Sequence, residues 1–381
     1  MSPGPATVLM VHSSGGHYGA DRQLLLIARG LDPDRFRPLV VLPAEGTLVG
    51  DLRAGGTEVI VHPVSVIRRG LVTPRGASSI AAALARDALV LGRLARSRGV
   101  ALVHSNTSVV LGGAAAAAVA RVPHVWHVRE IYSRFGRLWP RYRSLLASAR
   151  ALPCVSRAAA AQFRPSDPTL VVHDGLAFDP RRAPREAARR ALGLGDSEPV
   201  IAVLGRISDW KGQDVLVRAL AEPQLRDRGA VGLVAGEAWP GAGERTERVL
   251  ELATALGVGE RLRMLGFRED VETLFGAADI VAVPSTAPDP LPGAAIEAAA
   301  AGCAVIASAH GGLPEIVRDG ETGRLVAPGD PAALAAAAAE LFDDAALRER
   351  LGAAARADVR ERFSAGELLE SIQRLYDSAL R

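Results

Sequence analysis

The sequence predicts an α/β protein made of two doubly wound domains that face a central cleft. Its 381 residues exceed one domain of about 150 residues and fit two. Short runs rich in Val, Ile and Leu alternate with long runs rich in Ala, Leu and Arg, which is typical of parallel sheets covered by helices on both faces. The segment 179–184 (Asp-Pro-Arg-Arg-Ala-Pro) breaks both patterns and indicates a linker.

Each half of the chain supplies its own strands and helices. The predicted strands are residues 7–12, 39–42, 58–62, 101–104, 124–128, 151–155, 170–173, 200–204, 232–235, 263–265, 280–283 and 304–306. The predicted helices are residues 21–31, 78–98, 108–120, 213–220, 243–256, 271–277, 293–301 and 331–341. We therefore predict a Rossmann-like domain over 1–177, a second over 185–360, and a C-terminal helix over 361–381 that packs back towards the first. Ligands of such sheets bind beyond the carboxyl ends of the strands, which favours a site in the cleft.

The composition restricts the class of protein. The formal charge of +3 hides an uneven distribution, because residues 1–174 carry 21 Arg and 10 acidic side chains (net +11) and residues 175–381 carry net −8. Two cysteines exclude a disulfide framework and a Cys-x-x-Cys zinc site. No apolar run reaches 18 residues and the start has no charged leader, so we expect neither a transmembrane helix nor a signal peptide. A cytoplasmic location is predicted.

The loop after the predicted strand 200–204 carries two cations suited to an anionic ligand. It reads Gly205-Arg206-Ile-Ser-Asp-Trp-Lys211-Gly. Arg offers a planar fork to phosphate oxygens, Lys a mobile charge, and the start of the following helix adds backbone N–H groups. A solvated basic turn is the alternative. The only Lys of the chain, among 44 Arg, stands here, which favours the functional interpretation.

Two carboxylates surround the predicted start of the helix 293–301. Asp289 precedes it, Pro292 is expected at its first position, and Glu297 lies about one turn inside. Carboxylates so placed can accept hydrogen bonds from the hydroxyls of a sugar or ribose. A turn or cap for Asp289 and a surface position for Glu297 are the alternatives. The neighbours of Glu297 are Ala and Ile, and a carboxylate in so apolar a helix needs a partner.

These two stretches together resemble the retaining GT-B glycosyltransferases of family 4, the glycosyl transferases group 1. The family signature is a Gly-Arg…Lys-Gly diphosphate motif followed by two acidic residues eight positions apart at a helix start, a spacing that Asp289 and Glu297 reproduce. The run from His310-Gly-Gly-Leu-Pro-Glu to Asp330 also matches, and the resemblance extends over essentially the whole chain. The sequence departs from the family at Asp289, usually Glu, and at Pro292, often Gly.

Three strand ends in the first half add candidates. The run Gly15-Gly16-His17-Tyr18-Gly19 follows the first strand, and clustered glycines let the backbone approach a ligand closely. The resemblance implies that this loop closes onto the diphosphate and acceptor. The alternative is a flexible loop that contacts no ligand. The resemblance also implies that His127, at the end of the fifth strand, contacts the donor sugar, although a structural His is the alternative. Asn106 ends the fourth strand and either lines the acceptor side or caps a turn.

The resemblance assigns roles residue by residue. It implies that Arg206 and Lys211 bind the diphosphate, that Glu297 binds the ribose, and that Asp289 approaches the transferred sugar. The catalytic candidates are Arg206, Lys211, His127 and Asp289. The donor-binding candidates are Gly16, Gly19, Gly205, Gly266, Phe267, Leu291, Gly293 and Glu297. The acceptor-side candidates are Tyr18, Asn106 and Arg129.

Residues 129–150 interleave arginines with aromatic side chains. The members are Arg129, Tyr132, Arg134, Phe135, Arg137, Trp139, Arg141, Tyr142, Arg143 and Arg150. A solvated basic face is one interpretation, and contact with an anionic membrane surface on the cytoplasmic side is the other. No nucleic-acid motif accompanies the charge, so no nucleic-acid partner is expected.

The resemblance implies a retaining glycosyltransferase that moves a sugar from a nucleotide-diphosphate sugar to a glycan, a lipid-linked acceptor or a small molecule. Arg206 and Lys211 would stabilise the diphosphate leaving group, so no cofactor and no metal are expected. No residue is predicted to be a covalent nucleophile, and the resemblance implies same-face attack in which the departing phosphate takes the acceptor proton. A nucleotide-sugar epimerase on the same fold and a non-catalytic nucleotide-sugar-binding protein stay as alternatives.

Overall fold

The computed structural model describes residues 4–67, 74–132, 135–239 and 241–381, apart from the side chains of 74–77. The chain divides into two compact units, one comprising Met1–Ala177 with Ala365–Arg381 and the other Phe178–Ser364. Each unit contains a parallel sheet with helices before and after its strands. The predicted α/β class with two Rossmann-like sheets is therefore confirmed.

The sheet of the first unit has the strand order β3-β2-β1-β4-β5. Its strands are β1 (Ala6–Val11), β2 (Phe36–Leu42), β3 (Glu58–Val61), β4 (Val100–Ser105) and β5 (His124–Trp126), and a short parallel pair follows in β6 (Leu152–Cys154) and β7 (Thr169–Val171). The helices are α1 (Gly19–Gly30), α2 (Thr47–Ala54), α3 (Pro74–Ser97), α4 (Gly112–Ala120), α5 (Trp139–Leu146) and α6 (Arg157–Ala160). Strands covered on both faces read as continuous apolar runs, and β1 is buried from its second residue on.

The last helix of the chain completes the first unit. This helix, which we call α16 (Ala365–Leu380), is amphipathic, and its apolar residues recur every three to four positions. Leu368, Ile372 and Tyr376 join one core cluster with Val8 of β1 and Leu24 of α1. The C-terminal segment therefore covers one face of the first sheet.

The sheet of the second unit has the order β10-β9-β8-β11-β12-β13. Its strands are β8 (Val200–Leu204), β9 (Val231–Ala235), β10 (Leu262–Met264), β11 (Ile280–Val283), β12 (Ala304–Ser308) and β13 (Arg324–Val326). Its helices are α7 (Arg185–Ala191), α8 (Gln213–Ala221), α9 (Pro223–Arg226), α10 (Glu244–Ala255), α11 (Val271–Ala277), α12 (Gly293–Ala300), α13 (Leu313–Ile316), α14 (Pro331–Asp343) and α15 (Ala345–Arg362). Apolar side chains of β8, α8 and α14 form its main core.

Two local predictions were wrong. The helix predicted over 108–120 begins at Gly112, because the preceding residues turn back and Val110 N–H bonds the carbonyl of Thr107 at 3.3 Å. Pro292 is the N-cap of α12 and not its first helical residue, since its ψ of 111° is extended. The strand β13 was not predicted, because three residues are too few to display a period of two.

Candidate functional site

The strand order reverses between β8 and β11, and the loops that follow these two strands carry Arg206 and Lys211 after β8 and Asp289 and Leu291 after β11. In doubly wound sheets this reversal opens the crevice in which ligands bind. The same reversal occurs between β1 and β4 in the first unit, next to the glycine-rich loop and Asn106. The structure thus places the candidates at the ligand-binding edge of each sheet.

The loop after β8 has a fixed backbone. Gly212 has φ of +79°, and a Cβ there would lie 1.9 Å from the carbonyl oxygen of Pro284, so only Gly fits. Thr286 N–H donates to the carbonyl of Trp210 at 2.8 Å, and Gln213 Nε2 donates to the carbonyl of Arg206 at 3.1 Å. The following helix, α8, begins directly after Gly212. The loop therefore carries its two cations on a backbone that has little freedom.

Each of the two cations contacts an aromatic ring. The guanidinium carbon of Arg206 lies 3.2 Å from the ring centroid of Trp239, and Lys211 Nζ lies 4.5 Å from that of Trp210. Lys211 Nζ also donates to Asp289 Oδ2 at 2.6 Å. The predicted phosphate-binding lysine and the predicted sugar-contacting carboxylate are thus one ion pair.

The backbone of the loop that carries Asp289 packs against the two glycines of the His310-Gly-Gly motif. Asp289 is 4% exposed, and its carbonyl accepts from Gly312 N–H at 2.8 Å. A Cβ on Gly311 would lie 2.3 Å from the Asp289 carbonyl oxygen, and one on Gly312 would lie 2.1 Å from that of Pro290. This motif therefore positions the carboxylate, a role that the sequence alone did not reveal.

The remaining donor candidates lie around these loops. Gly293 is the first residue of α12, and a Cβ on it would lie 3.7 Å from Oε1 of Glu297. Glu297 is half-buried on this otherwise apolar helix. Leu291, two residues before the helix, is buried. Gly205 (φ +133°) directly follows β8, and Gly266 (φ +65°) and the 36% exposed Phe267 follow β10. The backbone N–H of Gly236, after β9, donates to the carbonyl of Gly266 at 2.7 Å. The ends of β9 and β10 are thus bonded together.

In the first unit, Asp21 organises the loop after β1. Its carboxylate accepts from His12 Nε2 at 2.7 Å and from Tyr18 N–H at 2.8 Å. Burial raises the pKa of Asp21, but the hydrogen bonds from His12 and from Tyr18 N–H outweigh it and hold that pKa below its ordinary value. Gly16 lies within this loop, Gly19 begins α1, and Tyr18 between them is 37% exposed. A buried carboxylate therefore fixes the predicted ligand-contacting loop.

Asn106 and Arg129 are engaged within the first unit. Asn106 Nδ2 donates to His12 Nδ1 at 3.2 Å and to the carbonyl of Ala20 at 3.0 Å. Arg129 Nε donates to the carbonyl of Asn106 at 2.8 Å, and its guanidinium forms an ion pair with Asp174. Both residues therefore hold together the segment that follows β4, where the acceptor side is predicted.

His127 is fully buried, and neither of its ring nitrogens has a hydrogen-bond partner among the described residues. Its ring stacks on that of His104 at 5.5 Å, and His104 in turn bonds Tyr376 at 2.6 Å. Burial holds the pKa of His127 well below its ordinary value, and the charge of Arg129 adds to this shift. Burial thus favours the neutral form of His127, and a ligand reaches this ring only if neighbouring groups move.

The aromatic residues of 129–150 pack on one another. Tyr132 stacks on Trp139 at 5.0 Å, and the ring of Tyr142 lies 5.3 Å from that of Tyr132. The outward residues of α5 and the turn before it include Leu138 and Leu145, each 45% exposed, and the exposed Arg141. Arg134 lies outside the described residues.

Over the ranges that the model describes, no cluster of three or more His, Cys, Asp or Glu side chains is arranged as a metal site. Among the same residues, no helix combines the length and the apolar character needed to cross a bilayer.

Comparisons with known proteins agree with this architecture. Residues 184–358 match the family model of the glycosyl transferases group 1. The D-inositol 3-phosphate glycosyltransferase of Nocardia farcinica is 40% identical over 205 residues, which is 52% of this chain and 45% of the relative, and that of Corynebacterium diphtheriae is 38% identical over 197 residues, 51% of this chain and 46% of the relative. The chain thus spans about half the length of the curated relatives it matches.

Solved structures resemble the chain over nearly its full length. Anabaena HepE, in complex with UDP and glucose, is 27% identical with a TM-score of 0.82, over 97% of this chain and 99% of that chain. Sucrose-phosphate synthase from Thermosynechococcus elongatus is 21% identical with a TM-score of 0.76, over 98% of each chain. The fold is that of the GT-B glycosyltransferases, and most of its second unit matches the glycosyl transferases group 1 model.

Proposed function

We propose that the chain is a glycosyltransferase that moves a sugar from a nucleoside-diphosphate sugar to a glycan, a lipid-linked acceptor or a small molecule, with retention of anomeric configuration. The observation that carries the proposal is the pair of cations, Arg206 and Lys211, on a fixed loop at the strand-order reversal of the second unit. The family match over residues 184–358 and the 27% identical HepE support it.

The proposed chemistry places most of the catalysis on the leaving group. The bond between the anomeric carbon and the diphosphate oxygen breaks, and negative charge grows on the diphosphate, where Arg206 and Lys211 stabilise it. The acceptor hydroxyl attacks the same face, forms the new bond, and gives its proton to the departing phosphate. This chemistry requires neither a metal nor another cofactor. Asp289, already paired with Lys211 at 2.6 Å, would orient the lysine and accept hydrogen bonds from the sugar.

The first donor to test is a UDP-sugar, because HepE was solved with UDP-glucose. A thermal-shift panel of UDP-, GDP- and ADP-glucose measures which nucleotide stabilises the protein, since a ligand bound only by the folded state raises its melting temperature. We expect Arg206→Ala to reduce the shift strongly. Arg228→Ala is the matched control, because it removes a surface ion pair with Asp343 in the same unit. No shift with any nucleotide sugar contradicts the proposal.

The product then distinguishes the mechanism. With an acceptor in hand, NMR of the new anomeric proton reports retention or inversion, and inversion would remove that part of the proposal. Incubation of the donor alone tests the epimerase alternative, which predicts an epimer without transfer. The ion pair that engages Asp289 argues against its service as a free acid or base in epimerisation. Nucleotide binding without any transfer would favour a non-catalytic binding protein.

We also propose that the first unit contacts an anionic membrane surface on the cytoplasmic side. Leu138 and Leu145 are exposed apolar side chains beside the exposed Arg141, a combination that suits an interfacial helix. Flotation with vesicles containing anionic lipid tests this, and Leu138→Asp with Leu145→Asp should abolish co-flotation. Wild-type protein that stays unbound at low salt contradicts the proposal.

A further inference from the structure

We propose that Trp239 is a positioning residue for the diphosphate: its indole face holds the plane of the Arg206 guanidinium in the orientation from which its N–H edge donates to phosphate oxygens. The inference rests on the proposed function and adds a residue that neither the resemblance nor the comparisons assign.

The short distance between Arg206 and Trp239 implies that the guanidinium lies across the ring face, because an N–H edge pointing at the ring would clash with it at this distance. The guanidinium carbon of Arg206 lies 3.2 Å from the ring centroid of Trp239, which is van der Waals contact with the ring face. The five N–H bonds of a guanidinium lie in its plane. They therefore point away from the indole. Phosphate oxygens accept hydrogen bonds at the edge of the guanidinium, whereas the indole occupies one of its faces.

The loop that carries Trp239 is built onto the loop that carries Arg206. Ile207 N–H donates to the carbonyl of Glu237 at 3.0 Å. A Cβ on Gly236 (φ +144°) would lie 2.0 Å from the carbonyl oxygen of Gly205, so the two backbones touch. These contacts fix the start of the Trp239 loop relative to the cation and make the stack a feature of the fold.

Core packing does not account for this tryptophan. Trp239 is 55% exposed, which is unusual for the largest apolar side chain. The chain has four Trp in 381 residues, and two of them, Trp210 and Trp239, contact the two cations of the diphosphate loop. The other two, Trp126 and Trp139, lie in the first unit. An exposed indole over a phosphate-binding arginine is explained by what it does to that arginine.

The experiment compares two ligands on the full chain. Titration calorimetry measures the dissociation constants of UDP and of inorganic pyrophosphate, which lacks a base and a ribose. We expect Trp239→Leu to weaken both ligands by the same factor of about three to ten, the range that a partly exposed cation–π contact supports. Trp239→Phe keeps an aromatic face and should recover most of the loss. Leu250→Ala, on an exposed position of α10, is the control for removal of surface apolar area.

A spectroscopic signature and a double variant separate positioning from stability. Indole fluorescence should change when pyrophosphate binds the wild type, and Trp239→Phe should reduce this change, leaving the contribution of Trp210 beside Lys211. In an Arg206→Ala background, Trp239→Leu should have no further effect on pyrophosphate binding, because the indole acts through the arginine.

The outcomes are distinct. Unchanged affinity in Trp239→Leu overturns the inference, as does a loss confined to UDP, which would mean that the indole stacks on the base. A wild type that binds neither UDP nor pyrophosphate overturns the proposed function and this inference together. Pyrophosphate binding by the wild type, with equal affinity in the leucine variant, overturns the inference and leaves the proposed function standing.

Discussion

Replacing Lys211 by Ala removes a cation from the proposed leaving-group site and a partner from a buried carboxylate. The two effects have different sizes and different readouts. Loss of a group that stabilises charge only as it develops in the transition state costs about 3–4 kcal/mol, or a hundred- to a thousandfold in kcat. We therefore expect Lys211→Ala to retain less than about one hundredth of the transfer rate.

The cost in stability follows from the burial of the pair. The side chain of Asp289 is 6% exposed and that of Lys211 is 21% exposed, and their charged atoms lie 2.6 Å apart. Breaking a fully buried ion pair costs about 3–5 kcal/mol, and partial exposure of the lysine reduces this to about 1–3 kcal/mol. For a unit of this size the melting temperature should fall by about 2–10 °C.

A double variant separates the two effects. In Lys211→Ala/Asp289→Asn the unpaired charge is gone, so the free energy of unfolding from urea titration should return most of the way to the wild-type value. Transfer, measured as UDP released from the best donor of the panel, should stay lost. Near-normal turnover in Lys211→Ala would refute the leaving-group role. A double variant that regains activity would show that the lysine serves only to neutralise Asp289.

Three further predictions concern particular contacts. Gly212→Ala should lower UDP affinity at least about tenfold, because its Cβ would lie 1.9 Å from a carbonyl oxygen. The control is Gly229→Ala, which has a similar φ of +64° but open space around its Cβ and should lower the free energy of unfolding only by the backbone strain of about 1 kcal/mol. Equal effects of the two variants in UDP titrations would contradict this. Tyr376→Phe leaves His104 Nδ1 without its bond at 2.6 Å and should cost about 1–3 kcal/mol in urea unfolding, whereas an unchanged midpoint would mean that the bond contributes nothing. Burial lowers the pKa of His104 and of His124 to about 3, so below pH 6.5 the unfolded chain binds protons that the folded chain does not. The free energy of unfolding should therefore fall as the pH drops from about 6.5 towards 3, by up to about 1.4 kcal/mol per pH unit for each histidine. A free energy of unfolding that stays constant between pH 7 and pH 5 would contradict this prediction.

The sequence predicted the fold well because its signals are local. Strands such as β8 and β11 are short apolar runs bounded by turn residues, and their structural bounds, Val200–Leu204 and Ile280–Val283, equal the predicted ones. The strand order is not local, since β8 pairs with β11 although two strands, β9 and β10, come between them in the chain. Alternation of strands and helices predicted parallel sheets, but only the structure gave the reversal that gathers the loops.

Side-chain contacts between residues distant in the chain could not be predicted from the sequence. The resemblance pointed to Lys211 and Asp289 as separate contacts with a ligand, whereas their 78-residue separation closes into one ion pair. The stack of His127 on His104 similarly joins the ends of two neighbouring strands. Such pairings depend on register and rotamer, which residue type and spacing do not encode.

The position of Trp239 against Arg206 could not be predicted from the sequence. No spacing rule singles it out, because it stands 33 positions from Arg206 in a loop without a motif. A signal was nevertheless present, since Gly236 directly follows β9, and a glycine at a strand end often permits a close backbone approach. The approach is realised against Gly205, at the start of the loop that carries Arg206. A glycine that lets two loops touch thereby lets the side chain three residues later reach the cation, and the position of the tryptophan is a consequence of that backbone contact.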